Sequence, residues 1–232
     1  MPGMYYYYDP TYVLVIIGAV ICMIASANVN RTFNKYSHVG NSRHLTAEQV
    51  AQQILREAGL TNIPIERVSG NLTDHYDPRG KVLRLSDSVY GSTSVAAVGV
   101  AAHECGHAIQ DQVDYVPIRI RNSIVPVVNL GSKLSWPIIL LGIVFDMTNL
   151  LNIGILLFAL TLLFQVVTLP VEFNASGRAL KILENRGILY GDEMKGARKV
   201  LSAAAMTYVT ATVSTILQLL RLVLLFGRRS DD

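Results

Sequence analysis

Three long apolar stretches constrain the fold of this 232-residue chain more than any other feature. They cover residues 12–27, 134–145 and 150–169. An α-helix needs roughly 20 apolar residues to cross a bilayer. The third stretch meets that length; tyrosines and small residues at its flanks can extend the first, and the second is either a span or a tilted or interfacial helix. A fourth apolar segment, residues 201–226, is broken only by Gln218 and Arg221, and the sequence leaves open whether it crosses.

The composition supports a membrane protein. Hydrophobic residues make up 51% of the chain and charged residues only 16%, and the mean hydropathy is +0.36. These values are too apolar for an ordinary soluble domain. The net charge of +3 comes from scattered basic residues, so we expect a lipid bilayer and no nucleic acid as partner. Cys22 and Cys105 both lie in apolar helical segments, which argues against a disulfide.

The distribution of Lys and Arg predicts the topology. Arg31 and Lys35 follow the first span, whereas residues 1–11 and the turn at 146–149 contain no basic residue. Basic residues near span ends favour the cytoplasm. This pattern predicts an external N-terminus, a cytoplasmic region over residues 28–133, and a hairpin of the second and third spans. Because the N-terminus lacks positive charge, the first span is interpreted as a retained anchor and not as a cleaved signal peptide.

Both ends of the chain leave alternatives open. The run Tyr5–Tyr8 suits a membrane interface, but a disordered start is also compatible with it. If the segment 201–226 crosses, then Gly227–Arg229 lies outside, against the charge rule. The segment can instead lie in the membrane plane, or pack inside a bundle with Arg221 paired.

The region before the second span contains patterns of short helices and strands. Residues 45–58 predict an amphipathic helix capped by Thr46, and residues 63–68 and 81–86 predict two strands. Pro64 places the first strand at a sheet edge. The second strand has two interpretations, an edge that holds a peptide substrate as an added strand, or a purely structural strand. Turn residues fill the interval between them, and a helix is expected over residues 95–112.

That last helix contains the motif His103-Glu104-Cys105-Gly106-His107, an H-E-x-x-H pattern. Residues four apart share one face of a helix, so the two imidazoles can bind one zinc ion. Glu104 can then act as general base on a zinc-activated water. A catalytic zinc site needs a third protein ligand and an open position. Cys105 is expected to face the protein and not the metal.

Two carboxylates compete for the third ligand position. Asp111 lies one further turn along the motif helix and is better explained as a residue that supports a metal ligand, or as a surface residue, than as a ligand itself. Glu172 follows the third span, beyond a Pro170 that predicts a helix start. From position alone, Glu172 is equally well explained as a zinc ligand or as an interfacial charge.

A resemblance to known enzymes favours Glu172. Gluzincins of the HtpX and CAAX prenyl protease type have an H-E-x-x-H helix, two spans, and then a glutamate ligand in an E-x-x-A-D pattern. The chain has this order and reads Glu172-Phe173-Asn174-Ala175-Ser176. It resembles more closely the bacterial YugP-like membrane zinc metallopeptidases, almost end to end. The segments that carry this likeness are residues 32–37, 74–79, 101–110, 169–173 and 201–209.

The resemblance leaves the roles of several residues around the metal ligands undecided. The acid usual after the glutamate ligand is replaced here, and Asn174 is expected to accept a hydrogen bond from an imidazole N–H without carrying charge. The donor that stabilises the oxyanion is one of Tyr208, His75 or Arg178. Each also fits a simpler role. Tyr208 can be an interfacial aromatic, His75 a surface or substrate-contacting residue, and Arg178 a cytoplasmic-side charge.

The sequence therefore predicts a mainly α membrane protein, a helical transmembrane bundle with a small α+β, zincin-like cytoplasmic insertion carrying the motif helix. We expect one membrane-embedded unit over residues 1–232, with a third-ligand helix and loop at 170–200. The expected activity is hydrolysis of membrane-associated or cytoplasmic polypeptides with one Zn²⁺ per chain. The expected location is the bacterial cell membrane, with the active site on its cytoplasmic side. The alternatives are a zinc-stabilised scaffold or peptide-binding pseudoprotease and, less favoured, a metal-handling membrane protein.

Overall fold

The computed structural model describes residues 9–226, and within them six helices and one small sheet. In chain order the elements are α1 (Tyr12–Ser37), α2 (Ala47–Glu57), β1 (Ile65–Val68), β2 (His75–Asp77), β3 (Val82–Ser86), α3 (Val95–Gln112), α4 (Val116–Val144), α5 (Thr148–Asn185) and α6 (Gly191–Phe226). The protein is thus mainly helical, as expected. The run Tyr5–Tyr8 and the segment Gly227–Arg229 lie outside the described residues, so their interpretations stay predictions.

Four of the helices are long and apolar enough to cross a membrane. They are α1, α4, α5 and α6, with 26, 29, 38 and 36 residues. Each coincides with one of the apolar stretches seen in the sequence, and α4 lengthens the short second stretch, because it begins at Val116 and ends at Val144. By length and composition, the fourth segment therefore also qualifies as a span.

Contacts divide the chain into two compact units. The first comprises the residues up to Ile24, Ile124–Val166 and the residues from Val209; the second comprises Ala25–Ser123 and Val167–Tyr208. In the first unit, Ile139, Leu151 and Leu222 form a small buried cluster. Arg221 in that unit is paired, because its guanidinium lies 2.9 Å from Asp9 Oδ2 and stacks 4.2 Å from the ring centroid of Tyr12. The pairing satisfies a charge that would otherwise be costly in an apolar helix.

The second unit contains the sheet, whose strand order is β1-β3-β2. β1 pairs with β3 in parallel and β2 pairs with β3 antiparallel. The edge position predicted for β1 is confirmed. The substrate-edge interpretation of the second predicted strand is wrong, because that strand is β3 and has a neighbour on each side. The neighbour β2 was not expected, since the sequence of residues 74–80 predicts only a turn, Asp77-Pro78-Arg79-Gly80.

α2 and α3 supply much of the second unit's apolar core. Thr46 and Gln49 form the expected capping box at the start of α2. α3 has the bounds predicted for the motif helix and is buried along most of its length. Cys105 faces the protein as expected, fully buried, with its Sγ 3.7 Å from the carbonyl oxygen of Ala51. Burial raises the pKa of this thiol, so it stays protonated.

The predicted helix start at Pro170 is wrong. α5 runs without interruption from Thr148 to Asn185, with Pro170 in its interior. Proline removes one backbone hydrogen bond from a helix, but apolar packing on both sides can maintain the helix. Here the residues after it, Val171 and Ala175, are fully buried. The third span and the helix that carries Glu172 are therefore one continuous element.

Candidate metal centre

Three potential metal ligands converge within the second unit. α3 places His103 and His107 one turn apart on the same face, and α5 presents Glu172 to both. His103 Nε2 lies 3.1 Å from His107 Nε2 and 3.3 Å from Glu172 Oε2, and His107 Nε2 lies 3.7 Å from the same oxygen. Asp111 is not part of this group of three. Of the two carboxylates left open by the sequence, Glu172 is the one beside the histidines.

Gly106 allows the two helices to come this close. A Cβ atom at this position would lie 2.7 Å from the carbonyl oxygen of Ala175 and 3.1 Å from its Cα. Real Cβ atoms essentially never come as close as 2.7 Å to a backbone oxygen, so any side chain here would push α5 away from α3. The glycine of the motif therefore positions Glu172 near the imidazoles, although it contributes no ligand itself.

The separations of the three ligand atoms suit a zinc ion. Ligands at roughly 2.0–2.1 Å from a tetrahedral zinc lie about 3.3 Å from one another, close to the observed distances. The hydrogen bonds of His107 also leave the correct nitrogen available. Its Nδ1 donates to Gln110 Oε1 over 3.0 Å, because Gln110 Nε2 is itself committed as donor to the Val171 carbonyl over 2.8 Å. In the neutral ring, His107 Nε2 then carries the lone pair that a metal needs.

The surroundings favour positive charge between the imidazoles. Burial lowers the pKa of His107, whereas hydrogen bonding to Glu172 and the charge of Glu104 raise it. The raising effects are larger, so the pKa lies above its usual value. A buried histidine pair facing two carboxylates thus attracts either a proton or a cation. A divalent ion satisfies all of these groups at once.

A network of hydrogen bonds holds both imidazoles from behind. Ser176 Oγ lies 3.0 Å from His103 Nδ1. Gln110 links His107 to Asn174, since its amide also donates to Asn174 Oδ1 over 3.0 Å. Asn174 therefore supports a histidine through Gln110 and, among residues 9–226, makes no direct hydrogen bond to an imidazole of the kind that was expected. Such partners fix the tautomer and orientation of a metal-binding histidine.

Arg178 lies behind this network. Its Nε donates to Asn174 Oδ1 over 2.8 Å, one turn along α5. It is not among the residues that line the cavities described below. The structure therefore places Arg178 as a support for Asn174, away from the position of an oxyanion donor.

Glu104 lies beside the ligand group and is held by the sheet. Its Oε2 accepts a hydrogen bond of 3.0 Å from the backbone N–H of Tyr76 in β2. Asp74, just before β2, is anchored by the backbone N–H and the hydroxyl of Ser86, at 2.7 and 2.8 Å. Burial raises the pKa of Asp74, the Ser86 hydrogen bonds lower it, and the charge of Glu104 raises it again, leaving it above its usual value. The unexpected strand β2 thus holds the carboxylate of Glu104 in place through the backbone N–H of Tyr76.

Arg121 and Tyr208 complete the surroundings of Glu172. The guanidinium of Arg121, on α4, donates to Glu172 Oε1 over 3.2 Å. Tyr208, on α6, lines the same polar cavity as this carboxylate. One oxygen of Glu172 therefore faces the histidines while the other is held by a cation.

The two remaining predicted residues lie further out. His75 lies on the exposed side of β2, with Nδ1 2.9 Å from the Thr73 carbonyl and Nε2 3.4 Å from Arg84. Asp111 accepts hydrogen bonds from the Tyr76 hydroxyl at 2.7 Å and from Lys81 at 2.5 Å. Asp111 therefore holds β2 against α3 and makes no hydrogen bond to either motif histidine among the described residues.

Two adjoining cavities open onto the ligand group. A polar cavity of about 160 Å³ is lined by both histidines, Glu104, Glu172, Arg121 and Tyr208, with His75 at its wall. A cavity of about 220 Å³ shares His103, Glu104, Glu172 and Tyr208 and adds apolar walls from α1, α3 and α6. The ligand group is thus accessible from a space that combines acid, base and hydrogen-bond donors with an apolar recess.

Sequence reasoning did not assign roles to Gln110, Ser176, Arg121 or Asp74. Gln110 lies three residues after His107, a spacing that allows contact on a helix. Ser176 stands where the related pattern has an acid, and its hydroxyl contacts the Nδ1 atom of His103. Arg121 had no local signal, because only the packing of α4 near α5 brings it to Glu172.

Substitution of Gln110 by alanine is expected to weaken zinc binding by about 10–100-fold, the usual effect of removing a group that orients a metal-binding histidine. The variant loses the acceptor for His107 Nδ1–H and the link to Asn174. Competition with a chromophoric chelator measures the affinity. The matched control is Gln112→Ala on the same helix, where the amide donates to the Ala58 carbonyl. Equal affinities for the two variants would contradict the proposed support.

Comparisons with known proteins show which family the chain belongs to. The chain is 44% identical over 208 residues to a Bacillus subtilis protein named "Putative membrane protease YugP", covering 90% of this chain and 92% of that protein. No solved structure matches it. Residues 11–227 match the protein family described as "Putative neutral zinc metallopeptidase". The chain therefore belongs to this family.

Proposed function

We propose that this protein hydrolyses peptide bonds with one zinc ion held by His103, His107 and Glu172. The observation that carries the proposal is the position of Glu104 in the same cavity as these three ligands. When bound, zinc would polarise the scissile carbonyl and lower the pKa of a water molecule. A structural zinc site usually has four protein ligands, whereas the described residues bring three together beside an open cavity.

Glu104 acts as the general base. Its carboxylate accepts the proton of the attacking water and then delivers it to the leaving amine. The hydrogen bond from Tyr76 N–H fixes one oxygen of Glu104, so that the group does not need to be oriented during each turnover. This fixed position supports catalysis through geometry as well as through basicity.

The oxyanion requires a hydrogen-bond donor in the same cavity. Tyr208 meets this requirement best of the three expected candidates, since it lines both cavities and carries a hydroxyl. Arg121 lines the polar cavity and neutralises the outer oxygen of Glu172, which keeps that ligand oriented. His75 is positioned to contact substrate at the wall, and Arg178 acts only through Asn174.

The cavities also indicate the substrate class. The larger one has apolar walls that include Val29, Val100 and Leu201, and Ala204 and Ala205 leave it space. Its volume of about 220 Å³ suits one apolar side chain next to the scissile bond. We therefore propose unfolded or membrane-associated polypeptides as substrates, cleaved on the cytoplasmic side where the charge rule places residues 28–133.

Chelation is expected to abolish the activity, and zinc to restore it. The full-length protein, purified in detergent, should cleave unstructured casein, stop in 1,10-phenanthroline, and recover when zinc is added. The isomer 1,7-phenanthroline does not chelate and serves as the control. Mass spectrometry of the fragments tests the substrate class, because new termini should adjoin apolar residues. Cleavage that persists without metal would overturn the proposal, whereas tightly held zinc without any cleavage would favour a zinc-stabilised scaffold.

A further inference from the structure

A further cavity in the same unit lies between α1 and α6 and is separate from the metal centre. Its volume is about 550 Å³, and four basic side chains line it, namely Arg31 and Lys35 from α1 and Arg198 and Lys199 from α6. Neither the ligand group nor Glu104 contributes to its walls. The proposed peptidase chemistry therefore gives no reason for this concentration of positive charge.

These four cations have no ion-pair partner among residues 9–226. Lys35 lies over the ring of Tyr36, with its Nζ 5.6 Å from the centroid. The charge of Lys199 is felt by Asp192, but that carboxylate is already paired with Lys195 at 2.9 Å. Like charges facing one cavity repel each other unless an anion binds between them.

The cavity changes from charged to apolar along the helices. Tyr36 lies against Gly196, so the end of α1 is beside the start of α6 in this unit. Lys35, Arg198 and Lys199 belong to this end, and Ala203 and Met206 line the cavity further along α6. Both helices then continue into apolar segments that qualify as membrane spans. Thr32 and Ser202 also line the cavity, and their hydroxyls can add hydrogen-bond donors.

We propose that this cavity binds the headgroup of an anionic phospholipid, such as phosphatidylglycerol. The four cations and the two hydroxyls hold the phosphate, and the apolar end leads the glycerol and acyl chains toward the membrane-spanning segments. Basic pockets between membrane helices on the cytoplasmic side bind lipid phosphates in this way. A free phosphate would use the cations but would gain nothing from the apolar end. This proposal does not depend on the peptidase activity.

Native mass spectrometry of the full-length protein in detergent tests the site. Wild type is expected to retain phosphatidylglycerol in preference to phosphatidylcholine. Each basic residue near a membrane surface strengthens binding of an anionic lipid by about fivefold, so Lys35→Gln with Arg198→Gln should weaken the complex by roughly 25-fold. The matched control, Lys181→Gln with Arg56→Gln, removes one lysine and one arginine from exposed positions outside the cavity. This control should bind the lipid as wild type does.

Further measurements distinguish a lipid site from general surface charge and from a site for free anions. Unchanged zinc content shows that each variant is folded; if the double variant is not, the single variants decide, with a loss of about fivefold expected for each. Equal weakening in the control would reduce the effect to general surface charge and overturn the site. Equal retention of phosphatidylcholine and phosphatidylglycerol by wild type would also overturn the site, because the cavity would then not select an anionic headgroup. If inorganic phosphate binds wild type as strongly as phosphatidylglycerol, the cavity is a site for free anions and the lipid proposal is wrong.

Discussion

Glu104→Gln is expected to reduce casein cleavage by about a thousandfold while the bound zinc stays at the wild-type level. A positioned general base contributes roughly 10²–10⁴-fold to a hydrolytic rate, and glutamine cannot accept the proton of the attacking water. The substituted amide still offers an oxygen to the backbone N–H of Tyr76, which Glu104 uses now. The ligands His103, His107 and Glu172 are unchanged, so metal binding should persist.

Zinc content and the rate of fluorescent-casein cleavage are measured on the same preparations. Glu184→Gln is the matched control, because it makes the same substitution at an exposed position near the end of α5. It should behave as wild type in both measurements. If Glu104→Gln cleaves casein at the wild-type rate, Glu104 is not the base and the mechanism fails.

Glu172→Gln is expected to weaken zinc binding by more than about 100-fold. Loss of a residue that hydrogen bonds to a metal ligand lowers the metal affinity by about 10–100-fold, and loss of a ligand itself should lower it more. The substitution removes the negative charge that His103 and His107 face at 3.3 and 3.7 Å. Glutamine has the same shape and can still accept a hydrogen bond from Arg121, so the packing of α5 should be retained.

The rival carboxylate provides the sharpest control. Asp111→Asn changes the other candidate for third ligand by the same chemistry, one turn beyond His107. Because Asp111 is engaged with Tyr76 and Lys81, this variant should bind zinc with nearly wild-type affinity. Weaker zinc binding in Asp111→Asn together with unchanged binding in Glu172→Gln would reverse the ligand assignment.

Local patterns in the sequence identified several parts of this structure. The bounds of α3 could be predicted because Ser94 caps its start and apolar residues continue to its end. The inward orientation of Cys105 follows from its angle around the helix relative to His103. The capping box of α2 needs only Thr46 and Gln49. These features depend on residues within one or two turns of each other, which is why the sequence alone indicates them.

Features that depend on distant packing could not be predicted in the same way. The strand β2 has only three residues and is defined by its pairing with β3 and its contact with Glu104. Pro170 predicts a helix boundary, but α5 continues through it because the residues that follow are buried by packing. The role of Arg121 depends on the meeting of α4 and α5. The likeness to a family suggested Glu172, whereas its position alone left an interfacial charge equally plausible.

X-ray absorption at the zinc K-edge is the most direct test of the metal centre. The full-length protein, loaded with one equivalent of zinc, should show nitrogen and oxygen neighbours at roughly 2.0–2.1 Å and the scattering pattern of two imidazoles. Neighbours at about 2.3 Å would indicate sulfur ligands, and the absence of imidazole scattering would indicate a metal bound elsewhere. Either result would contradict a centre built from His103, His107 and Glu172.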